Sequence, residues 1–386
     1  MIVRDEADVL ATCLQSVREH IDTWVICDTG STDGTKALIG DALASVPGEL
    51  HEREWIDFGH NRTEAMRLAE SKADYLLMLD ADCTLEVTPG ALDELTADAY
   101  SLRRDLGGVE CRTTCLVSDR LQWHYVGVVH EYVESRSEHA TEPLDGVMIR
   151  PIPRPIGHPQ RWERDAELLE AAIAADPDDG RSQFYLAQTY RDLGRERGDG
   201  ELLLLALQHY ERRATMGGWS EETYVAQHQA GVLYAELGNW PAAADAYNRA
   251  WELRPERMEA VYDLAHGLVE RRQFHAAHRY TSLAVATRSL RAPEDLLFVA
   301  HWVYDWGLLF EHTIAAYWVG DYTGAASASK RLLAREDVPA AYRAAAEKNL
   351  SHALRERARE AAAAQQSSGG TQPWAHAGKP TRGNER

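Results

Sequence analysis

The sequence predicts a two-part chain, an α/β domain over residues 1–150 followed by an all-α domain of helical repeats over residues 161–364. Three observations predict it. In the first part, apolar runs that close on acidic residues alternate with stretches of helical character, as strands alternate with helices in an α/β fold. Pro151, Pro153, Pro155 and Pro159 then crowd one short stretch. Each removes an N–H donor and restricts its predecessor, so residues 151–160 read as a linker. Beyond them the composition shifts to Ala, Leu, Glu and Arg, and small residues recur at a 34-residue spacing.

Trp24-Val25-Ile26-Cys27-Asp28 is one apolar run closing on an acid, and Tyr75 to Asp82 is another. Helical candidates lie at Asp8–Glu19, Thr35–Ala44 and Gly59–Ser71. The alternation predicts a largely parallel sheet, whose ligands bind at the carboxyl ends of strands. Asp28 and Asp80 fall at that edge. Asp28-Thr29-Gly30-Ser31-Thr32-Asp33-Gly34-Thr35 leaves the first run and opens a helix. Its glycines allow a tight turn, and its Ser, Thr and Asp side chains suit a helix cap. Where a nucleotide would enter, Asp28 would also accept an N–H from a base edge.

Asp80-Ala81-Asp82 carries the sharpest chemical signal. Asp also ends strands and caps helices. Yet two carboxylates one residue apart at a strand's carboxyl edge can reach one hard cation. Mg²⁺ or Mn²⁺ takes oxygen ligands and shares them with substrate phosphates. A cation there would stabilise the charge on a departing diphosphate. A third apolar run, Trp123 to Val129, closes on His130-Glu131, and strand alternation would put those two side chains on opposite faces. Trp123 and Tyr125 read as core or as stacking platforms.

The formal net charge of −20 disfavours broad electrostatic binding to nucleic acid, which needs Lys and Arg to neutralise phosphates. Arg150, Arg154, Arg161 and Arg164 cluster around the linker and read first as a solvated linker, with a local basic strip as the alternative. No apolar run approaches the roughly 18 residues that span a membrane. The opening Met-Ile-Val-Arg-Asp-Glu has no signal-peptide core, so the expected compartment is the cytoplasm. Cys13, Cys27, Cys83, Cys111 and Cys115 include no CxxC pair and are expected to be reduced.

In the second part, Gly238-Asn239-Trp240 is followed 34 residues later by Arg272-Gln273-Phe274. Ala243 recurs as Ala277 and Ala250 as Ala284, and Gly320-Asp321-Tyr322 follows with Ala325 after it. Small residues let paired helices approach, a glycine or polar turn separates them, and an aromatic opens the next helix. This period resembles tetratricopeptide repeats. The stretches 194–200 and 288–306 break it. A last helix is expected over residues 340–364, and a disordered polar tail over 365–386.

Four blocks in order carry a further resemblance. They are Val3-Arg4-Asp5-Glu6 with Cys13-Leu14-Gln15-Ser16-Val17, the loop Asp28–Thr35, Asp57-Phe58-Gly59-His60-Asn61-Arg62, and Leu79-Asp80-Ala81-Asp82. Over about residues 1–145 the chain resembles family 2 glycosyltransferases of the GT-A (Rossmann-like) fold. With its repeats it is similar to a subgroup that includes bacterial peptide S-glycosyltransferases. The resemblance implies a nucleotide-sugar donor, UDP-linked, and a divalent metal, Mn²⁺ or Mg²⁺. It places Val3, Arg4 and Glu6 along the nucleotide pocket, Asp28 on the base, and Arg62 on the nucleotide or diphosphate. Asp82 would be the main metal ligand, with Asp80 on the ribose or on the metal through water. His130 would contact the metal or diphosphate and Glu131 would be the general base. The reverse assignment of that pair stands beside it, and Asp119 is a third choice of base. The family usually has a full apolar strand before the first block, whereas Met1 stands almost on it. That reads as a clipped strand or a start placed too late.

The function expected is metal-dependent transfer of a sugar from a nucleotide donor to a peptide, protein or small-molecule acceptor, with inversion. The repeats would recruit the acceptor, or join two copies in a homodimer. Two competing readings are an inactive transferase-like scaffold that binds protein through its repeats, and a transferase acting on modified nucleic acid bases, which the acidic charge disfavours. A nucleotidyltransferase would want a Gly- and Lys-rich phosphate loop near the N-terminus, and the sequence has none there.

Overall fold

The structure, a computed structural model, describes residues 1–153, 159–286 and 291–368. Three parallel strands open the fold in the order β1 (Ile2–Val3), β2 (Trp24–Asp28), β3 (Gly48–Glu52). Val25 to Asp28 are all buried, which is why β2 reads as a continuous apolar run rather than an alternation. β3 is the exposed edge and carries charge at Glu49 and Glu52. Helix α1 (Leu10–Val17) buries Leu10, Cys13, Leu14 and Val17, the i, i+3, i+4, i+7 stripe of an amphipathic helix. Helix α2 (Thr35–Ala42) follows the Asp28 loop, and α3 (Phe58–Ala69) follows β3.

The rest of the sheet structure corrects the expectation of a largely parallel sheet. Strands β4 (Tyr75–Leu77), β5 (Cys83–Val87), β6 (Ala99–Asp105), β7 (Glu110–Ser118) and β10 (Thr141–Pro151) form a five-stranded sheet ordered β4-β7-β6-β10-β5. In it, β6 and β10 are parallel and the other three pairings are antiparallel. A hairpin of β8 (Trp123–Val126) and β9 (Tyr132–Ser135) completes the domain. The run from Tyr75 leaves strand geometry after Leu77, so Asp80-Ala81-Asp82 lies in the turn between β4 and β5. Val3, Leu10, Leu14, Ile26, Ile39 and Ala81 share one core cluster, which brings that turn beside the ends of β1 and β2. A cavity of about 590 Å³ lies on the opposite side, lined by Trp24 and Val25 at the start of β2 and by Tyr75 to Met78.

Sheet gives way to helix between Pro151, the end of β10, and Pro159, the start of α4 (Pro159–Ala175). Arg154 lies outside the described residues, as does the side chain of Arg161. Of the remaining linker arginines, Arg150 is paired with Glu86 and Asp105, and Arg164 lies over Trp55 and Phe58. The helices continue as α5 (Gly180–Arg197), α6 (Gly200–Thr215), α7 (Ser220–Glu236), α8 (Trp240–Leu253), α9 (Glu259–Glu270), α10 (Phe274–Ala286), α11 (Leu308–Trp318), α12 (Tyr322–Leu333) and α13 (Ala340–Ser368).

The expected turns separate α7 from α8, α9 from α10 and α11 from α12. Gly238, Arg272 and Gly320 occupy equivalent left-handed positions there. Ala243, Ala277 and Ala325 are fully buried. Gly231 shows why small residues are needed: a Cβ there would sit 2.6 Å from the Tyr247 ring. Residues 194–200, which break the period, are the turn from α5 to α6: Gly198 is a left-handed C-cap, and Asp199 caps α6 by accepting from Glu201 N. Residues 288–290 of the second break lie outside the described residues. The part that follows leaves the repeat pattern to join the sheet. Val299 N donates to Glu110 O at 2.7 Å and Arg112 N to Leu296 O at 2.7 Å, against β7. Arg257, 1 % exposed, holds this segment through Asp295, the Leu297 and Phe298 carbonyls, and Glu259.

The chain divides into two compact units, Met1–Leu264 with Leu290–Asp305, and Ala265–Ser289 with Trp306–Arg386. Helix α13 continues four residues past its expected end, from the Ala run at 361–364 on to Ser368. The tail beyond Ser368 lies outside the described residues. Among the described residues no helix is long and apolar enough to cross a membrane. All five cysteines are free and buried.

Candidate active site

The carboxyl edge of β1 and β2 is locked by two facing loops. Thr29 N and Oγ1 both donate to Val3 O, Asp5 N donates to Ser31 Oγ, and Glu6 N donates to Thr35 Oγ1. Asp5 takes a left-handed backbone, and its carboxylate accepts from Thr32 N at 2.7 Å. The Ser, Thr and Asp residues of the loop are thus spent on shaping a turn. Within it Asp28, 1 % exposed, accepts from Gly30 N and Ser31 N through Oδ1. Among the described residues its Oδ2 is buried with no hydrogen-bond partner. A buried carboxylate oxygen left unsatisfied is costly and points to a donor from outside the chain. Val3 is buried, Glu6 half-buried and Arg4 exposed.

Arg62 enters from α3. Asp57 caps that helix by accepting from His60 N, and buried Asn61 ties it to the Glu54 carbonyl and the Ile56 N–H. Arg62 Nη2 donates to Asp80 Oδ1 at 2.5 Å, and its Nε forms an ion pair with Glu131. The other Asp80 oxygen accepts from Arg104 of β6 at 2.7 Å. Burial by itself would raise the Asp80 pKa, but the Arg62 and Arg104 charges outweigh it and hold the carboxyl well below the usual carboxylate range. Burial likewise disfavours charge on Arg62, and Asp80 with Glu131 reverses that, keeping the guanidinium protonated. The Tyr125 ring lies beneath Arg62, 5.6 Å from its Cζ.

Asp82 is different. Among the described residues it enters no ion pair and is half-buried, with the Cys83 thiol 3.6 Å from Oδ1. Asp80, Asp82 and Cys83 hold ligand-type atoms within 4.8 Å of one another. Burial pushes the Cys83 thiol up, so it stays protonated. This donor set suits a hard cation bound by one protein carboxylate and completed by substrate phosphates. Asp82 is the available oxygen ligand, while both Asp80 oxygens are taken by arginine.

The site residues read from the sequence therefore divide. Arg62 joins Asp80 and Glu131 through ion pairs, Asp82 lies beside Asp80, and Asp28 closes β2. His130 does not join the Asp80–Asp82–Cys83 group: its ring stacks on Tyr185 of α5, with centroids 4.0 Å apart. The expected strand alternation also fails. Gly127 and His130 both have left-handed backbones, so residues 127–131 form the β8–β9 loop, not a strand. Asp119 accepts from Ser71 N, serving the chain after α3. Trp123 is core, 5 % exposed, and donates to Ser118 O. The sequence reading missed Arg104, which β6 delivers across the non-local β6–β10 pairing.

Residues 1–141 match the family model described as "Glycosyl transferase family 2". The N-terminal domain is that of a family 2 glycosyl transferase, and a helical repeat region of tetratricopeptide character follows it. A "TPR repeat-containing protein" of Synechococcus elongatus is 28 % identical over 314 residues, 74 % of each chain. Among solved structures, a tetratricopeptide repeat protein from Parabacteroides merdae is 18 % identical, with 55 % of this chain and 75 % of that one covered at a TM-score of 0.36. The C-terminal part of a TPR repeat-containing protein from Cytophaga hutchinsonii is 15 % identical over 46 % of this chain and 60 % of that one, at a TM-score of 0.35.

Proposed function

We propose that this glycosyltransferase takes its sugar from a nucleotide diphosphate donor, UDP-linked, with a divalent metal, and passes it with inversion to a peptide, protein or small-molecule acceptor. The observation that carries the reading is the pair of uncommitted carboxylate groups at one edge: the unpartnered Asp28 Oδ2, suited to a base N–H, and Asp82, suited to a hard cation. Arg62 and Arg104 stand beside Asp82, braced by Asp80, where diphosphate charge would lie. Val3 and Glu6 form the wall of the nucleotide pocket. Mn²⁺ or Mg²⁺, when bound by Asp82, would supply Lewis-acid neutralisation of the leaving diphosphate.

The acceptor's nucleophilic atom attacks the anomeric carbon as the bond from that carbon to the diphosphate oxygen breaks. The acceptor proton passes to a Glu131 carboxylate oxygen, and the nucleotide diphosphate leaves with the bonding electron pair. Arg62 ties the two halves together, since it contacts both Asp80 and Glu131. The helical repeats suit capture of an extended acceptor. Calorimetric titration with UDP-, GDP- and dTDP-sugars, with and without Mn²⁺, tests the donor reading on wild type and Asp82→Ala. Metal-dependent binding lost in the variant is expected. A folded wild type that binds none of them would favour a protein-binding scaffold instead.

A further inference from the structure

The loop that carries Glu131 is held from the helical repeats. Arg181, in the first turn of α5, donates from Nε and Nη2 to the His130 carbonyl at 3.0 and 2.7 Å. Its guanidinium lies against two aromatic faces, 4.9 Å from the Tyr132 centroid and 5.0 Å from that of Tyr185. The His130 ring stacks on the same Tyr185, with only 10° between the planes. Arg181 Nη1 is also 3.8 Å from Glu222 of α7, which pairs with Arg213 through Oε2 and whose buried Oε1 has no hydrogen-bond partner among the described residues. The repeats thus supply the cation, the stacking face and the balancing acid.

The loop needs such a hold. His130 has φ +53°, a left-handed backbone that L side chains seldom adopt unless surrounding contacts impose it. Beneath the loop, α3 approaches so closely that a Cβ on Gly59 would sit 2.5 Å from the Gly127 carbonyl oxygen. The loop is therefore clamped between α3 below and Arg181 above, and the residue after His130 is the one that pairs with Arg62.

We propose that Arg181 is a positioning residue for glycosyl transfer. By fixing the His130 carbonyl from α5, it holds Glu131 in register with Arg62, so the repeat region is part of the site's framework as well as an acceptor platform. This rests on the reading of Glu131 as general base. Arg181 touches no reacting atom in this account. A forked guanidinium fits the carbonyl and both rings at once, and an ammonium does not.

The test uses the full chain as wild type, Arg181→Met, Arg181→Lys and Tyr132→Leu. Hydrogen exchange over residues 126–132 is read beside kcat and KM for UDP-glucose hydrolysis with Mn²⁺. Arg181→Met should speed loop exchange by about 10-fold while sparing β2 and α3. It should lower kcat by about 10- to 100-fold and leave KM within about twofold. Arg181→Lys should recover part of each loss. Tyr132 is 39 % exposed, so its replacement tests the same clamp with little risk to folding, and a smaller change in the same direction is expected. Unchanged loop exchange in both Arg181→Met and Tyr132→Leu would overturn the proposal, as would an unchanged kcat in Arg181→Met. A wild type without donor turnover would defeat the functional reading, and loop exchange would still decide the clamp.

Discussion

Replacing Asp80 with Asn removes the negative charge that two guanidinium groups share. Arg62 keeps Glu131, but Arg104 is left with the Cys83 thiol at 3.7 Å, and among the described residues its buried Nε already has no hydrogen-bond partner. Breaking a fully buried ion pair from one side costs about 3–5 kcal/mol. The side chains of Asp80 and Arg104 are each 26 % exposed, so solvent screens part of this, and about 2 kcal/mol is expected at pH 7. The sign of the pH dependence follows from the depressed Asp80 pKa. Its stabilisation is fully present above the unfolded carboxyl pKa, near 3.9, and is lost as pH falls through the lower folded value. Urea unfolding of wild type and Asp80→Asn should give the same difference at pH 7 and pH 5, narrowing below about pH 4. A variant as stable as wild type at pH 7, or a difference already gone at pH 5, would refute the bridging role.

Gly59→Ala should push the Gly127 carbonyl off α3, costing about 1–3 kcal/mol in a denaturant melt and about 10-fold in kcat. Arg257→Met takes from buried Glu259 its cation and leaves Asp295 with Arg254 alone, and should lose about 3–5 kcal/mol by the same melt. Gly231→Ala meets the Tyr247 ring and should destabilise by about 1–3 kcal/mol, whereas exposed Gly40, in α2 with nothing near its missing Cβ, should gain about 0.5–1 kcal/mol as Ala.

What the sequence disclosed follows the range of the interactions involved. β2 ends at Asp28 as its apolar run does, and α3 begins at Phe58, one residue before the expected Gly59, because both are set by neighbours along the chain. The turns at Gly238, Arg272 and Gly320 were legible for the same reason. Arg104 was not: nothing beside it in the chain marks it, and it reaches Asp80 through the register of β6 with β10. The His130–Glu131 loop misled because Val126 to Val129 has strand composition, while Gly127 turns the backbone left-handed. The break in the repeats near Arg288 was visible as a break. Its consequence, the docking of Leu296 and Val299 on β7, depends on contacts more than 180 residues apart in sequence.

The most direct measurement is the paramagnetic resonance of Mn²⁺ titrated into the protein with and without UDP, for wild type and Asp82→Asn. The expectation is saturable loss of the free-ion signal in wild type with UDP, beyond that caused by UDP alone, because one carboxylate needs the phosphates to complete the ligand set, and little such loss in the variant. Equal loss in wild type and variant, or none in wild type with UDP, would contradict it.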